Sequence, residues 1–453
     1  MTLTLVLHAN TLVCMDDAGR EIADGAMLVE DGAIHSVGTS AELAIWADKV
    51  DEIVEATGCV ITPGLVNTHH HMFQSLTRAV PAGVDAPLFP WLQSLYPIWA
   101  NYRPEDMFVS AQVAMAELAL SGCTLSSDHL YLYPDGVKLE DTIEAARTIG
   151  MRFHPTRGSM SIGESKGGLP PDHLVEDEKA ILNDTIRVID AFHDTAPDAM
   201  VRVGVAPCSP FSVSQGLMRE SALLARDKGV RLHTHLAENV EDVAYSLEHF
   251  GCRPGQYAED LGWVGPDVWH AHCVQLDEEE IDLFARTKTG VAHCPCSNGR
   301  LGSGIAPIAA MNTAGIPVGL GVDGSASNDS NHLLLESRQA LLFQRAVSGA
   351  DALSARAALR LATRGGAEVL GWESCGQLAA GMRADFVLWD TNGLEMTGAW
   401  DEVAALVLCA SLQARDVYVE GRAIVQSGLL TGVNLQDILT RAGASVKRLI
   451  DLA

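Results

Sequence analysis

The sequence predicts an α/β protein: a closed (β/α)8 TIM-like barrel in the middle of the chain and a composite β-sandwich formed jointly by the two chain ends. Apolar strand-like runs alternate with amphipathic helical stretches through the middle. Strand patterns return at both ends. Histidines and acidic residues fall at the carboxyl ends of several middle strands, where (β/α)8 barrels assemble their sites. An open doubly wound sheet is the rival, but no Gly-x-Gly-x-x-Gly turn follows an early strand to support it.

In chain order, residues 3–7, 26–30 and 34–37 read as strands, the last two joined by an Asp31-Gly32 turn, so that residues 1–60 form the first part of the sandwich. From Cys59-Val-Ile-Thr-Pro-Gly64 onward the rhythm changes. Candidate parallel strands lie at 66–69, 125–129, 152–155, 201–205, 231–235, 268–272, 290–293 and 317–322, separated by helical patterns such as 108–121, 139–149, 180–194, 215–228 and 240–250. The barrel therefore spans 61–372. Residues 373–453 return to strands at 384–389, 403–408 and 416–425, the last a hairpin turned at Glu420-Gly421, and end in a helix over 434–452. Neither end supplies enough strands for a stable core alone, so the simplest packing joins them.

The 453 residues carry 31 Lys+Arg against 58 Asp+Glu, a net charge of −27 at pH 7. Polyanions are gripped by clustered cations, so a nucleic-acid partner and an anionic membrane surface are both disfavoured. The uncharged run 301–322 contains five Gly and two Pro and ends in a strand pattern, which argues against a membrane span. The N-terminus shows no basic leader followed by a long apolar run, and the expected location is cytoplasmic. Ten cysteines form no disulfide framework, and Cys294-Pro-Cys296 lacks a second pair at zinc-finger spacing, so most are expected to be reduced core residues. Assembly into a homo-oligomer is left open.

Alternation along a strand places His69 and His71 of Asn67-Thr-His69-His70-His71 on one side, where two imidazoles can share a metal. A histidine run alone reads equally well as a polar strand end. The other strand ends decide: His233-Thr-His235-Leu-Ala-Glu238, Trp269-His270-Ala-His272 and Gly321-Val-Asp323-Gly all fall there. A few imidazoles with one carboxylate and an open position for water suit a hydrolytic metal site, with zinc favoured and iron(II) or manganese also compatible.

Pro63-Gly-Leu-Val-Asn-Thr-His69-His-His71, His235-Leu-Ala-Glu238, Ala271-His272-Cys and Gly321-Val-Asp323-Gly together resemble the amidohydrolase superfamily, and the resemblance covers essentially the whole chain. It implies that His69, His71, His235 and Asp323 hold the metal, and that Glu238, His272 and Asp323 are catalytic. His70, His233 and His270 match no ligand position and are expected to be supporting residues. The fourth strand, Val201-Arg-Val-Gly-Val-Ala-Pro-Cys208, lacks the bridging lysine of binuclear members, so one metal per subunit is implied. The triplet around Glu238, with Gln74 three residues after His71, is similar to aminohydrolases of purines, pterins and triazines. Phe89-Pro-Trp-Leu92 and Arg157-Gly-Ser-Met-Ser161 resemble the branch acting on 8-oxoguanine and hydroxylated triazines.

The implied reaction is deamination of 8-oxoguanine to urate and ammonia. Water activated by the metal attacks the ring carbon bearing the amine, Asp323 accepts its proton, His272 orients it, and Glu238 protonates the adjacent ring nitrogen. Glu238 could otherwise cap the helix that follows. Gln74, Trp91, Arg157, Cys208 and Asn298 are candidate substrate contacts, the first through its amide and the second through its ring. The loop 163–171 is either a lid or a plain surface loop. The expected ligand is a small free base; hydroxytriazines and other purines or pyrimidines remain alternatives, and a non-catalytic barrel scaffold is the rival from another class.

Overall fold

The computed structural model describes residues 2–409 and 412–453. The chain opens with β1 (Leu3–Val13), β2 (Glu21–Glu30), β3 (Ala33–Thr39), β4 (Glu52–Glu55) and β5 (Cys59–Pro63). It then enters eight parallel strands: β6 (Leu65–Asn67), β7 (Cys123–Leu130), β8 (Arg152–Ser159), β9 (Gly204–Pro207), β10 (Leu232–Leu236), β11 (Val268–His272), β12 (Gly290–His293) and β13 (Val318–Leu320). These close in sequence order into a barrel, β13 pairing β6 and β9 pairing β10. The predicted barrel is thus present. The fourth strand is shifted: Val201 makes only an isolated bridge to Phe153, and the ladder proper runs over Gly204–Pro207.

The chain ends with β14 (Phe386–Asp390), β15 (Asp416–Val419), β16 (Arg422–Gln426) and β17 (Leu429–Leu430), followed by the helix Leu435–Leu452. Both ends combine, hydrogen-bonded as one nine-stranded sheet in which β14 pairs antiparallel with β5 over five residue pairs. Val6, Leu12, Met27, Ile61 and Phe386 share its core, and Phe386 stacks on Tyr418 at 4.4 Å. Its hairpins turn at Asp31-Gly32 (φ 47° and 78°) and Glu420-Gly421 (φ 53° and 68°), the paired positive φ that a two-residue turn of this hand requires.

One expected strand is a helix. Residues 403–408 lie in Glu402–Leu408, started by Asp401, whose side chain accepts from the Ala404 amide. Val403, Ala405, Leu406 and Val407 are buried, the larger three in an i, i+3, i+4 pattern that a short apolar run also allows as a strand. Among the described residues no helix is long and apolar enough to cross a membrane.

Arg152, at the start of β8 and fully buried, ties the barrel to the sheet. Its guanidinium donates to both Asp385 oxygens at 2.9 and 3.1 Å and also to Glu420. Removing one partner of such a pair leaves buried charge uncompensated. We predict that Arg152→Met lowers stability by about 3–5 kcal/mol in a denaturant melt; a loss under about 1 kcal/mol would show that the network does not hold the two parts together.

Candidate metal centre and active-site pocket

The carboxyl ends of β6, β10, β11 and β13 converge. His69 and His71 follow β6, His235 lies near the end of β10, His272 ends β11 and Asp323 follows β13. All are buried except His235, which is partly so. The ligand atoms of His69, His71, His129 and His235 lie within 4.8 Å of one another, as do those of His69, His272 and Asp323.

The hydrogen bonds on the far side of each ring set its tautomer. His233 Nδ1 faces the Trp269 carbonyl at 2.9 Å, so that nitrogen carries the proton and its Nε2 accepts from His69 Nδ1–H at 2.8 Å. His71 Nδ1–H donates to the His129 carbonyl at 2.8 Å, and His235 Nδ1–H to the Cys208 carbonyl at 2.6 Å. His272 Nδ1–H donates to Asn298 Oδ1 at 2.8 Å. Each of the four rings therefore presents an unprotonated Nε2 to the same space. His71 and His235 bring these nitrogens to 3.0 Å, and Asp323 Oδ1 stands 3.3 and 3.4 Å from those of His69 and His71. Lone pairs facing one another in a buried space call for a cation between them. The rings are also held neutral, as ligation requires: burial lowers His69 well below its usual value and His235 to about 3. The residues fit a metal ion.

Asp323 sits at φ 61°, with His272 at 72° and Ala237 at 51° beside it, a concentration of left-handed non-glycine backbone at one site. Its Oδ2 accepts from Ser297 Oγ at 2.6 Å and Ser327 Oγ at 3.2 Å, and its Oδ1 from the Gly324 amide at 2.7 Å, all of which favour the ionised form. Glu238 is different. Burial, reinforced by the Asp242 and Asp323 carboxylates, pushes it well above the usual carboxylate range. Its Oε2 lies 3.6 Å from His272 Nε2. The capping alternative goes to its neighbour: Asn239 Oδ1 accepts the Asp242 amide at the start of Val240–Phe250.

A cavity with about 440 Å³ of empty space opens beside these groups. Of the candidate substrate contacts, Gln74, Trp91 and Cys208 line it. Gln74 Oε1 is buried without a partner, Trp91 is fixed by its Nε1–H to the Ala326 carbonyl at 3.1 Å, and burial raises the Cys208 thiol to about 12. Arg157 is not in the lining: Glu176 and Asp184 engage its guanidinium at 2.7–2.9 Å, over the Tyr133 ring. Asn298 is also outside it, bonded to His272. Residues 163–171 contribute nothing to the lining; the helix Leu88–Trp99 supplies Leu88, Trp91, Leu92 and Tyr96 to it.

His129 escaped the sequence reading. Its Nε2–H donates to the Ala206 carbonyl at 2.9 Å, leaving Nδ1 bare beside His71 and His235. The polar run Ser126-Ser127-Asp128-His129 at the end of β7 was the available signal. His70 and His270 join neither ligand group, and His233 acts through His69.

Residues 60–424 match the model of the amidohydrolase family. The chain belongs to that family. It is 44% identical to the 8-oxoguanine deaminase of Pseudomonas aeruginosa over 94% of this chain and 95% of that protein. It is 36% identical to the hydroxydechloroatrazine ethylaminohydrolase of Pseudomonas sp. strain ADP, over 99% and 97% respectively. The zinc-complexed atrazine chlorohydrolase TrzN of Arthrobacter aurescens TC1 superposes with a TM-score of 0.92 at 32% identity, over 98% of this chain and 100% of that one. The amidohydrolase barrel, the buried histidine–aspartate cluster and these neighbours together make this a metal-dependent hydrolytic deaminase.

Because His233 fixes the tautomer of His69, we predict that His233→Phe weakens metal affinity about 10–100-fold in competition with a chelator. Unchanged affinity would show that the ring does not set the ligand.

Proposed function

We propose that the chain is a mononuclear zinc aminohydrolase that converts 8-oxoguanine to urate and ammonia, in the cytoplasm. The observation that carries this reading is the juxtaposition of the buried Glu238 carboxyl, which burial pushes well above the usual carboxylate range, with the bare Nε2 of His272 at 3.6 Å and the Asp323 carboxylate, in the lining of one pocket with Gln74 and Trp91. The proposed ligands are His69, His71, His235 and Asp323. No lysine lies in β9 or in Cys208 just after it, which supports a single ion. Ten free cysteines agree with a reducing compartment.

Zinc held there would supply Lewis acidity, making water acidic enough to attack a ring carbon near neutral pH. Asp323 takes the proton of the attacking water, its free oxygen position kept by Ser297 and Ser327. His272, its Nδ1–H committed to Asn298, accepts a hydrogen bond from the water and orients it. Glu238 donates its proton to the ring nitrogen next to the amine-bearing carbon. The tetrahedral adduct collapses once a proton has passed from Asp323 to the amine: the C–N bond breaks, ammonia leaves, and the adduct's hydroxyl gives its proton to the Glu238 carboxylate as the carbonyl forms, which restores the acid. Gln74 pairs with the amide edge of the base and Trp91 packs on its face. Arg157 supports this set from outside, by holding β8 against the segment carrying Glu176 and Asp184.

Among the described residues the lining holds no lysine or arginine, which suits a neutral free base and disfavours a phosphorylated nucleotide. A hydroxytriazine is the second reading, favoured by the similarity to the hydroxydechloroatrazine enzyme and to triazine hydrolase structures.

Ammonia release from a panel of 8-oxoguanine, guanine, isocytosine and hydroxyatrazine tests the substrate. We predict the highest kcat/KM for 8-oxoguanine; faster turnover of guanine would overturn the assignment. Glu238→Gln should retain its metal and lose about 10²–10⁴-fold in turnover. Since the protonated form of Glu238 is the working one and burial raises its pKa, kcat/KM of the parent should fall only as pH rises through that raised value. An acidic loss in place of an alkaline one would move the proton donor elsewhere.

A further inference from the structure

The opposite mouth of the barrel holds a second polar cavity, with about 520 Å³ of empty space, lined in part by His154, His193, Thr195, Arg202 and Arg231. These residues stand at the amino ends of the strands: Arg231 precedes β10, Arg202 precedes β9, and His154 is near the start of β8. The metal centre lies at the carboxyl ends.

Arg202 and Arg231, both partly buried, differ from the buried arginines Arg152 and Arg157. Arg152 and Arg157 have carboxylate partners, whereas among the described residues these two donate only to backbone carbonyls. Arg202 reaches Gly371 at 2.8 Å and Ala196 at 3.2 Å, and Arg231 reaches Pro266 at 2.6 Å. The Nε of each is buried without a partner. Nearby acids are engaged elsewhere, Asp267 by Arg226 at 2.9 Å and Asp194 by the Ala196 amide at 2.9 Å, while Glu373 is exposed. Two guanidinium groups in one cavity without a carboxylate in direct contact are out of keeping with a chain of net charge −27.

His154 adds an independent observation. Trp372 Nε1–H donates to its Nδ1 at 3.1 Å, which places the ring proton on Nε2. That Nε2–H is buried and has no partner, in a residue only 1% exposed. Burial, followed by the guanidinium groups of Arg231 and Arg202, keeps the ring neutral, so it serves as a donor. Glycines keep the space open. A Cβ on Gly204 would stand 3.3 Å from His154 Nε2, and one on Gly371 would stand within 2.4 Å of Arg231 Nη1.

We propose that this cavity binds a small phosphate-class oxyanion, either inorganic phosphate or the phosphoryl end of a small metabolite, through Arg202, Arg231 and His154. Charged donors in a partly dehydrated cavity with no resident carboxylate match that chemistry.

Calorimetric titration of the metal-loaded protein at constant ionic strength tests it, with inorganic phosphate in one arm and glycerol 3-phosphate in the other; the tighter of the two identifies the source. One saturable site is expected, weakened about tenfold or more in both Arg202→Gln and Arg231→Gln. In the unaltered protein, phosphate should also slow phenylglyoxal modification of Arg202 and Arg231, mapped by mass spectrometry, and leave Arg286, which is 67% exposed, unprotected. This arm stands even if a variant fails to fold. Absence of saturable binding at millimolar anion, absence of protection, or binding that survives both substitutions and so belongs to the metal centre would overturn the proposal.

Discussion

His69, His71, His235 and His272 each give Nδ1–H to a fixed acceptor, so each turns a bare Nε2 toward the same buried point. Without a cation this arrangement is unfavourable, since nitrogen lone pairs 3.0 Å apart repel and have lost their hydration. With one it would become a coordination site in which His69, His71 and His235, the proposed imidazole ligands, are already in the right tautomer, and His272 is left ready to accept from the water. Metal affinity is therefore stored in the hydrogen bonds behind the ligands as much as in the ligands.

The backbone acceptors among them come from neighbouring strands, while His69 reaches His233 across the barrel and His272 reaches Asn298 in the helix Pro295–Arg300. The His129 carbonyl comes from β7, the Cys208 carbonyl follows β9, and the Trp269 carbonyl that sets His233 belongs to β11. A one-residue slip in strand register would turn the histidine side chains to the other face of the strand and away from these acceptors. Closing of the barrel and preparation of the site are thus one event. The strand ends absorb the geometric demand through positive φ at Ala237, His272 and Asp323, strain that the surrounding ladder has to hold. The end sheet contributes from a distance: Asp385 and Glu420 neutralise Arg152 at the start of β8, the strand that precedes β9 in the barrel.

The barrel was legible because two periods, strand and helix, alternate over the middle of the chain, and because the polar clusters share a position on their strands. His69 and His71 were legible as a pair from alternation alone, while their meeting with His235 and Asp323 needed either the resemblance or the folded structure. Three-dimensional competition hid the rest. Arg157 looks free in sequence, and only the fold brings Glu176 and Asp184 to it. Asn298 was read as a substrate contact, and the fold turns its carbonyl oxygen to His272. The segment 403–408 is apolar with both strand and helix spacing, and the Asp401 cap decides it. His129 looked like the end of a strand and nothing more, because its carbonyl and its ring act in different directions.

The central claim is that a single ion held by His69, His71, His235 and Asp323 makes the site competent. Chelator-treated protein can be titrated with zinc while ammonia release from 8-oxoguanine is followed. Activity should rise linearly and break at one equivalent per chain. A break at two equivalents, or undiminished activity in the chelator-treated protein, would contradict the account.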